Sequence, residues 1–202
     1  MILHDLSVGM HPRRVRIFMA EKGISIPRRE VDALHRANAE PGFLRLNPLG
    51  RLPVLELDDG TAISESLAIC RFLETLYPNP SLMGRTLRET ALIDMWTLRM
   101  EFELSRPIAH VFLHTGEFYR DRIEQVPEVA AQARSHALAT MQWLDSELAG
   151  RQHMADDVYS MADIVAQCAF VLGKAVGLRI PPEMAHLSRW FAAVTARPTA
   201  RA

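Results

Sequence analysis

Short apolar runs alternate with helical stretches along the first 77 residues of the chain. Residues 12–22 place apolar side chains at helical spacing, with Arg14 and Arg16 among the basic residues that surround the apolar stripe. Asp59-Gly60, between two apolar runs, is typical of a hairpin turn. The pattern predicts strands at 1–6 and 25–32, a hairpin over 52–64, and helices at 12–22 and 64–78.

Strand signals end at the Pro- and Gly-bearing segment 79–86. Every later periodic stretch has helical spacing: 86–115, 128–149, 160–177 and 183–196. The order βαβ-ββα predicts an α+β fold for the first part, with its first two strands parallel. We therefore predict an α+β domain at 1–78, a linker at 79–86 and an all-α helical bundle at 87–202.

Composition narrows the classes of function. Lys and Arg number 23 against 24 Asp and Glu, so no charge excess favours nucleic acid or an anionic membrane. Cys70 and Cys168 lie far apart and form no metal-ligand spacing. No apolar run is long enough to span a bilayer. We expect a cytoplasmic protein with neither nucleic acid nor membrane as a partner.

The segment NPLGRLPVLELDDGTAISESLAICRFLE, residues 47–74, carries the most specific pattern. It combines an Asn-Pro turn, a Leu-Pro step, an acidic hairpin and a Glu-Ser pair, and SMADI at 160–164 adds a second motif. With the βα start and the helical second half, the chain resembles the cytosolic glutathione transferase family along its whole length. The resemblance implies a thioredoxin-like first domain, glutathione as cosubstrate, a homodimer, and attack of the glutathione sulfur on a small electrophile.

The resemblance assigns four residues to the cysteinyl and γ-glutamyl parts of glutathione. In the family the matching proline is cis, so we expect a cis Leu52-Pro53 bond that leaves the Leu52 peptide free to pair like an added strand. An ordinary trans bond is the alternative. Glu65 and Ser66 begin the third helix, where a carboxylate can bind free N–H groups and an acidic side chain can pair with an ammonium. A plain helix cap fits the same two residues.

The glycine carboxylate of glutathione needs a cation or an amide donor. Arg51, beside the Leu52-Pro53 step, is a charge-assisted donor by type. Asn38 matches a position where relatives place an amide. Both residues also fit an ordinary surface role.

The start of the first helix is where glutathione transferases hold the group that stabilises the thiolate. Gly9 stands where serine-type enzymes hold the catalytic serine. His11 stands where cysteine- and asparagine-type enzymes hold the catalytic cysteine or asparagine. We expect His11 to cap the helix, Pro12 to open it, and the neutral imidazole to donate an N–H to sulfur. Ser7 is the competing donor. A solvent-exposed cap and an ordinary turn serine are the respective alternatives.

The remaining motifs have structural explanations. Ser160 and Asp163 predict a capped helix N-terminus, with a structural role for Asp163. His110 and His114 have a spacing that can bind a metal, but no third ligand is evident, so we expect no metal. Two other functions fit the sequence: a glutathione-dependent disulfide or peroxide reductase, and a non-catalytic binding module of the same fold.

Overall fold

The computed structural model describes all 202 residues, which form two compact units, residues 1–81 and 82–201. The first unit contains four strands and two helices in the predicted order, and one further short helix before the hairpin. These are β1 (Ile2–Asp5), α1 (Met10–Glu21), β2 (Arg28–Glu30), α2 (Pro41–Leu44), β3 (Val54–Glu56), β4 (Ala62–Ser64) and α3 (Ser66–Leu76). The sequence missed α2 because four residues are too few to show a helical period.

The four strands form one mixed sheet in the order β2-β1-β3-β4. Leu3 lies opposite Arg28 in the parallel β1–β2 pair and opposite Leu55 in the antiparallel β1–β3 pair. The predicted hairpin is β3–β4, and its turn is closed by the N–H of Gly60, which donates to the carbonyl of Leu57. The parallel first pair and the hairpin confirm the α+β topology.

Two arginines of α1 are buried, contrary to the prediction that they surround the apolar stripe. Arg14 is 1% exposed and Arg16 is 6% exposed. Arg16 Nη1 donates to Asp5 Oδ1 at 2.6 Å, and Arg16 Nη2 donates to the carbonyl of Ser7 at 2.7 Å. A buried cation needs such partners. The pair therefore fixes the turn between β1 and α1.

The helix α1 begins two residues earlier than predicted. Gly9 is the cap, Met10 opens the helix, and His11 and Pro12 are its second and third residues. The prediction that His11 is the cap is thus wrong. A Cβ atom on Gly9 would lie 2.9 Å from the Pro12 ring and 3.1 Å from the Leu6 carbonyl oxygen. No room is left there for the side chain of a conventional capping residue.

The segment after α3 is anchored to α1 by Lys22. The Lys22 side chain is 0% exposed, and its Nζ pairs with Glu74 Oε2 at 2.7 Å. The same Nζ donates to the carbonyls of Tyr77 at 2.7 Å and Pro80 at 2.5 Å. Residues 77–81 are therefore held as part of the first unit.

The second unit is helical throughout, as predicted. Its helices are α4 (Leu87–Arg99), α5 (Arg106–Thr115), α6 (Pro127–Glu147), α7 (Met161–Ala175) and α8 (Ala185–Thr195), and a π-helical segment, Met100–Ser105, joins α4 to α5. None of the helices combines the length and the apolarity that crossing a membrane requires.

The start of α7 is held by one buried carboxylate. Asp163 is 0% exposed, and its Oδ2 accepts the N–H of Ser160 at 3.0 Å, which confirms the predicted capping interaction. Its Oδ1 accepts Trp190 Nε1 at 2.8 Å and the N–H of Met154 at 3.0 Å. Asp163 therefore joins α7, α8 and the loop before α7, which is a structural role.

Candidate functional site

The Leu52-Pro53 peptide bond is cis, as predicted. Neither the N–H nor the carbonyl of Leu52 is hydrogen-bonded to another part of the chain. The loop leading to it is shaped by Asn47, which is 3% exposed and donates from Nδ2 to the carbonyl of Arg51 at 2.8 Å. This arrangement leaves the Leu52 peptide free to pair with an extended ligand backbone.

The N-terminus of α3 places Glu65 outside and Ser66 inside. Glu65 is exposed and has a φ of +67°, a conformation that L-residues rarely adopt. Ser66 is 4% exposed, and its Oγ accepts a hydrogen bond from Arg14 Nη1 at 3.4 Å. A buried guanidinium thus lies beside a helix N-terminus, and both favour an anion.

His11 is half-buried in the first turn of α1, and its imidazole is neutral. Burial, and to a smaller extent the nearby charges of Arg14 and Arg51, together lower the pKa of His11 from 6.5 to about 3. The predicted neutral ring therefore arises from burial and two arginines. A neutral imidazole carries one N–H donor, and the two guanidinium groups add positive potential around it.

Ser7 lies in the exposed turn between β1 and α1. Its backbone N–H donates to Glu30 Oε1 at 2.8 Å, and its carbonyl accepts from Arg16 Nη2 at 2.7 Å. The backbone of Ser7 therefore serves the packing of this turn.

The two residues predicted for the glycine end lie on neighbouring loops. Arg51 is exposed, and its charge lies close enough to influence His11. Asn38 donates from Nδ2 to the carbonyl of Gly50 at 2.7 Å, and its Oδ1 is buried without a hydrogen-bond partner. Asn38 thus ties its own loop to the loop that carries Arg51.

Sequence reasoning missed Arg14. The sequence offered one indication that Arg14 is buried: its neighbours in α1 include Val15, Ile17 and Phe18, which are themselves buried. A charged residue in such a run is buried with a partner, but the partner, Ser66, lies 52 residues away. Pairing at that separation requires the fold.

His110 and His114 lie on α5 in the second unit, with ring centroids 6.3 Å apart. His114 Nδ1 accepts the N–H of Val126 at 3.1 Å, so one of its two ring nitrogens already serves the packing of α5 against the start of α6.

Comparison with known proteins gives matches to both units. The family model described as "Glutathione S-transferase, N-terminal domain" matches residues 10–76, and the one described as "Glutathione S-transferase, C-terminal domain" matches residues 107–198. Glutathione S-transferase 2 of Saccharomyces cerevisiae is 35% identical over 205 aligned residues, covering 100% of this chain and 88% of the relative. The chain belongs to the glutathione S-transferase family.

Solved structures agree with this membership. A crystal structure of Gtt2 from Saccharomyces cerevisiae has a TM-score of 0.94 at 34% identity, covering 100% of this chain and 99% of that one. A glutathione S-transferase domain-containing protein from Marinobacter aquaeolei has a TM-score of 0.95 at 33% identity, covering 99% and 100%. The fold is a thioredoxin-like unit followed by the helical unit of the glutathione S-transferase family, as the sequence predicted.

A different group of relatives is longer. Elongation factor 1-gamma 3 of Oryza sativa subsp. japonica is 26% identical over 98% of this chain, but the match covers only 47% of the relative. The chain is therefore also similar to part of longer proteins that are not named transferases.

Proposed function

We propose that this member of the glutathione S-transferase family binds glutathione at its first unit and conjugates the glutathione sulfur to a small electrophile. The observation that carries the proposal is the neutral His11 ring in the first turn of α1, whose pKa is lowered by burial and by the charges of Arg14 and Arg51. The neutral ring can donate a hydrogen bond, and the two arginines supply positive potential near it. Both effects favour an anion over its protonated form.

The sulfur of glutathione is the anion that this group would stabilise. A free thiol has a pKa of about 8.5, so most of it is protonated at neutral pH, while the thiolate is the nucleophile. In the proposed step the thiol releases its proton to solvent and the thiolate accepts the N–H of His11. The sulfur lone pair then forms a carbon–sulfur bond, and the leaving group departs with the electron pair of the bond that breaks. Ser7 is the weaker candidate donor.

The rest of the tripeptide is assigned to the same unit. The free Leu52 peptide would pair with the cysteinyl backbone, beside Pro53. The γ-glutamyl carboxylate would bind at Ser66 near the Arg14 charge, and the γ-glutamyl ammonium would pair with Glu65. Arg51 would pair with the glycine carboxylate. We propose a homodimer as the working form, in keeping with the family.

Calorimetric titration with glutathione in two buffers of different ionisation heat tests this proposal. At pH 7 we expect binding with release of a fraction of a proton, seen as a difference in apparent enthalpy between the buffers. Turnover of a halodinitrobenzene should accompany it. An absence of glutathione binding would contradict the proposed enzymatic function.

A non-catalytic binding role is the second candidate. The matches to elongation factor 1-gamma proteins support it, as does the absence of a tyrosine, serine or cysteine at the usual place in α1. Glutathione binding with neither proton release nor turnover would favour this second role.

A further inference from the structure

The loop that precedes the Leu52 peptide is held by two asparagines. Asn47 donates from Nδ2 to the carbonyl of Arg51 at 2.8 Å, and its own Oδ1 accepts the N–H of Leu49 at 3.1 Å. Asn38 reaches the same loop from a separate turn and donates to the carbonyl of Gly50 at 2.7 Å. Asn38 therefore holds the peptide group before Arg51, and Asn47 holds the peptide group after it.

The contact between Asn38 and Gly50 is too close to accept other residues. Gly50 has a φ of +61°, and a Cβ atom on it would lie 2.9 Å from the backbone carbonyl oxygen of Asn38. The orientation of the Asn38 amide is also fixed. Rotating it by half a turn would bring Oδ1, an acceptor, against the Gly50 carbonyl, another acceptor.

The Asn38 amide is held in this orientation at a cost. Its Oδ1 is buried without a hydrogen-bond partner, and a buried acceptor of this kind destabilises a fold. A carbon side chain of similar size would avoid that cost but could not hold the Gly50 carbonyl. The residue type is explained by the hydrogen bond from Nδ2.

Arg51 depends on the Asn38 contact more than Leu52 does. Leu52 is followed by Pro53 and β3, whose ladder with β1 and β4 holds it from the C-terminal side. The Gly50 carbonyl has Asn38 as its hydrogen-bond donor, and the Arg51 carbonyl has Asn47. The Arg51 carbonyl belongs to the same peptide group as the Leu52 N–H, so Asn47 also holds the Leu52 peptide. Loss of Asn38 should therefore release Arg51 before it disturbs the Leu52 peptide.

We propose that Asn38 is a positioning residue for the glycine end of glutathione, and that it acts by holding the Gly50–Arg51 segment. This inference rests on the proposed function, and it replaces the predicted direct contact between Asn38 and the ligand carboxylate. Selection of the full tripeptide over a ligand that lacks glycine would then depend on a residue that touches neither the sulfur nor the carboxylate.

The test compares glutathione with γ-glutamylcysteine, which has the same thiol but no glycine. The variants are Asn38→Ala and Asn38→Asp, with His35→Ala as a control because His35 is an exposed residue of the same loop. For Asn38→Ala we expect the Kd and KM of glutathione to rise about tenfold, the loss of roughly one hydrogen bond. The Kd of γ-glutamylcysteine should change less than twofold, and kcat should stay within twofold.

Asn38→Asp sharpens the test because it keeps the shape and replaces the donor by an acceptor. It should weaken glutathione binding more than Asn38→Ala does, while His35→Ala should match the wild type. Equal losses for both ligands, or none for either, would overturn the positioning role. If the wild type itself binds no glutathione, the proposed function has failed first, and the two failures are thereby distinguished.

Discussion

His11 combines a donor N–H with a position where it stays uncharged. If it stabilises the thiolate, His11→Ala should lower kcat/KM for a halodinitrobenzene by about 10–100-fold, because a hydrogen bond to a charged group contributes about 1.5–3 kcal/mol. The apparent pKa of the pH–rate profile should rise at the same time. His35→Ala is the matched control, since that histidine is exposed and paired with Asp32. An unchanged rate in His11→Ala would shift the role to Ser7 or to backbone N–H groups.

The burial of His11 also makes folding sensitive to acid. Burial and the nearby charges of Arg14 and Arg51 lower the pKa of folded His11 to about 3, while the unfolded residue keeps a value near 6.5. Above pH 6.5 both states are neutral. As the pH falls below 6.5 only the unfolded chain gains this proton, so stability falls.

The measurement is urea unfolding of the wild type and of His11→Ala at pH 7 and pH 4.5. We expect the wild type to lose more unfolding free energy between these two values than the variant loses. Equal losses would mean that His11 takes up a proton in the folded state, contrary to its environment.

Glu65 should show a conflict between stability and binding. Its φ of +67° is strained for an L-residue, at a cost of about 1–3 kcal/mol, and glycine removes that strain. We expect Glu65→Gly to raise Tm by a few degrees and to weaken glutathione binding, because the carboxylate is lost. Glu65→Gln separates the two effects: it should bind more weakly at an unchanged Tm.

Some residues of the candidate site could be predicted from one sequence motif, whereas others depend on contacts between distant parts of the chain. Leu52, Pro53 and Ser66 lie in one continuous segment, so the motif placed them without knowledge of the fold. Arg14 and Asn38 donate hydrogen bonds to Ser66 and Gly50, which are distant in sequence or on another loop. No periodicity encodes such pairs, and only the packed structure reveals them.

At the scale of elements, the capping boxes that begin α4 and α7 differ in burial, so their contributions to stability should differ. Thr86 Oγ1 accepts the N–H of Glu89 at 3.1 Å at the exposed start of α4, while Asp163 serves the buried start of α7. Thr86→Ala should cost about 1 kcal/mol. Asp163→Ala should cost at least 3 kcal/mol, because it leaves several buried donors without an acceptor. Chemical denaturation followed by circular dichroism measures both, and similar costs would contradict the structural role of Asp163.

The helices of the second unit were predictable because apolar periodicity and cap residues agree along each of them. The π-helical segment Met100–Ser105 was not, since its buried and exposed positions continue the pattern of the flanking helices. Its wider turn depends on packing against neighbouring helices, and sequence spacing near 3.6 cannot distinguish it from an ordinary turn.

At the scale of the whole molecule, the proposed homodimer needs an apolar surface. Leu98, in α4, is 49% exposed, and Phe102, in the π-helical segment that follows, is 50% exposed. The two lie four residues apart. We expect the double variant Leu98→Glu, Phe102→Glu to convert a dimer to a monomer, because it buries charge in the contact. Light scattering after size exclusion reports the mass. Leu138→Glu, at another exposed leucine, should leave the dimer intact; a dimer that survives the double variant places the contact elsewhere.

The buried Lys22 has a consequence for where the chain can be divided. A polypeptide ending at Leu76 would retain every strand and helix of the first unit, yet its Lys22 ammonium would lack the carbonyls of Tyr77 and Pro80. Residues 77–81 therefore belong to the folded first unit, because they complete the hydrogen bonds of Lys22. A shortened form that ends at Ser81 should resist proteolysis, whereas one that ends at Leu76 should be digested. Exchange of this unit between relatives should succeed only when residues 77–81 are exchanged with it.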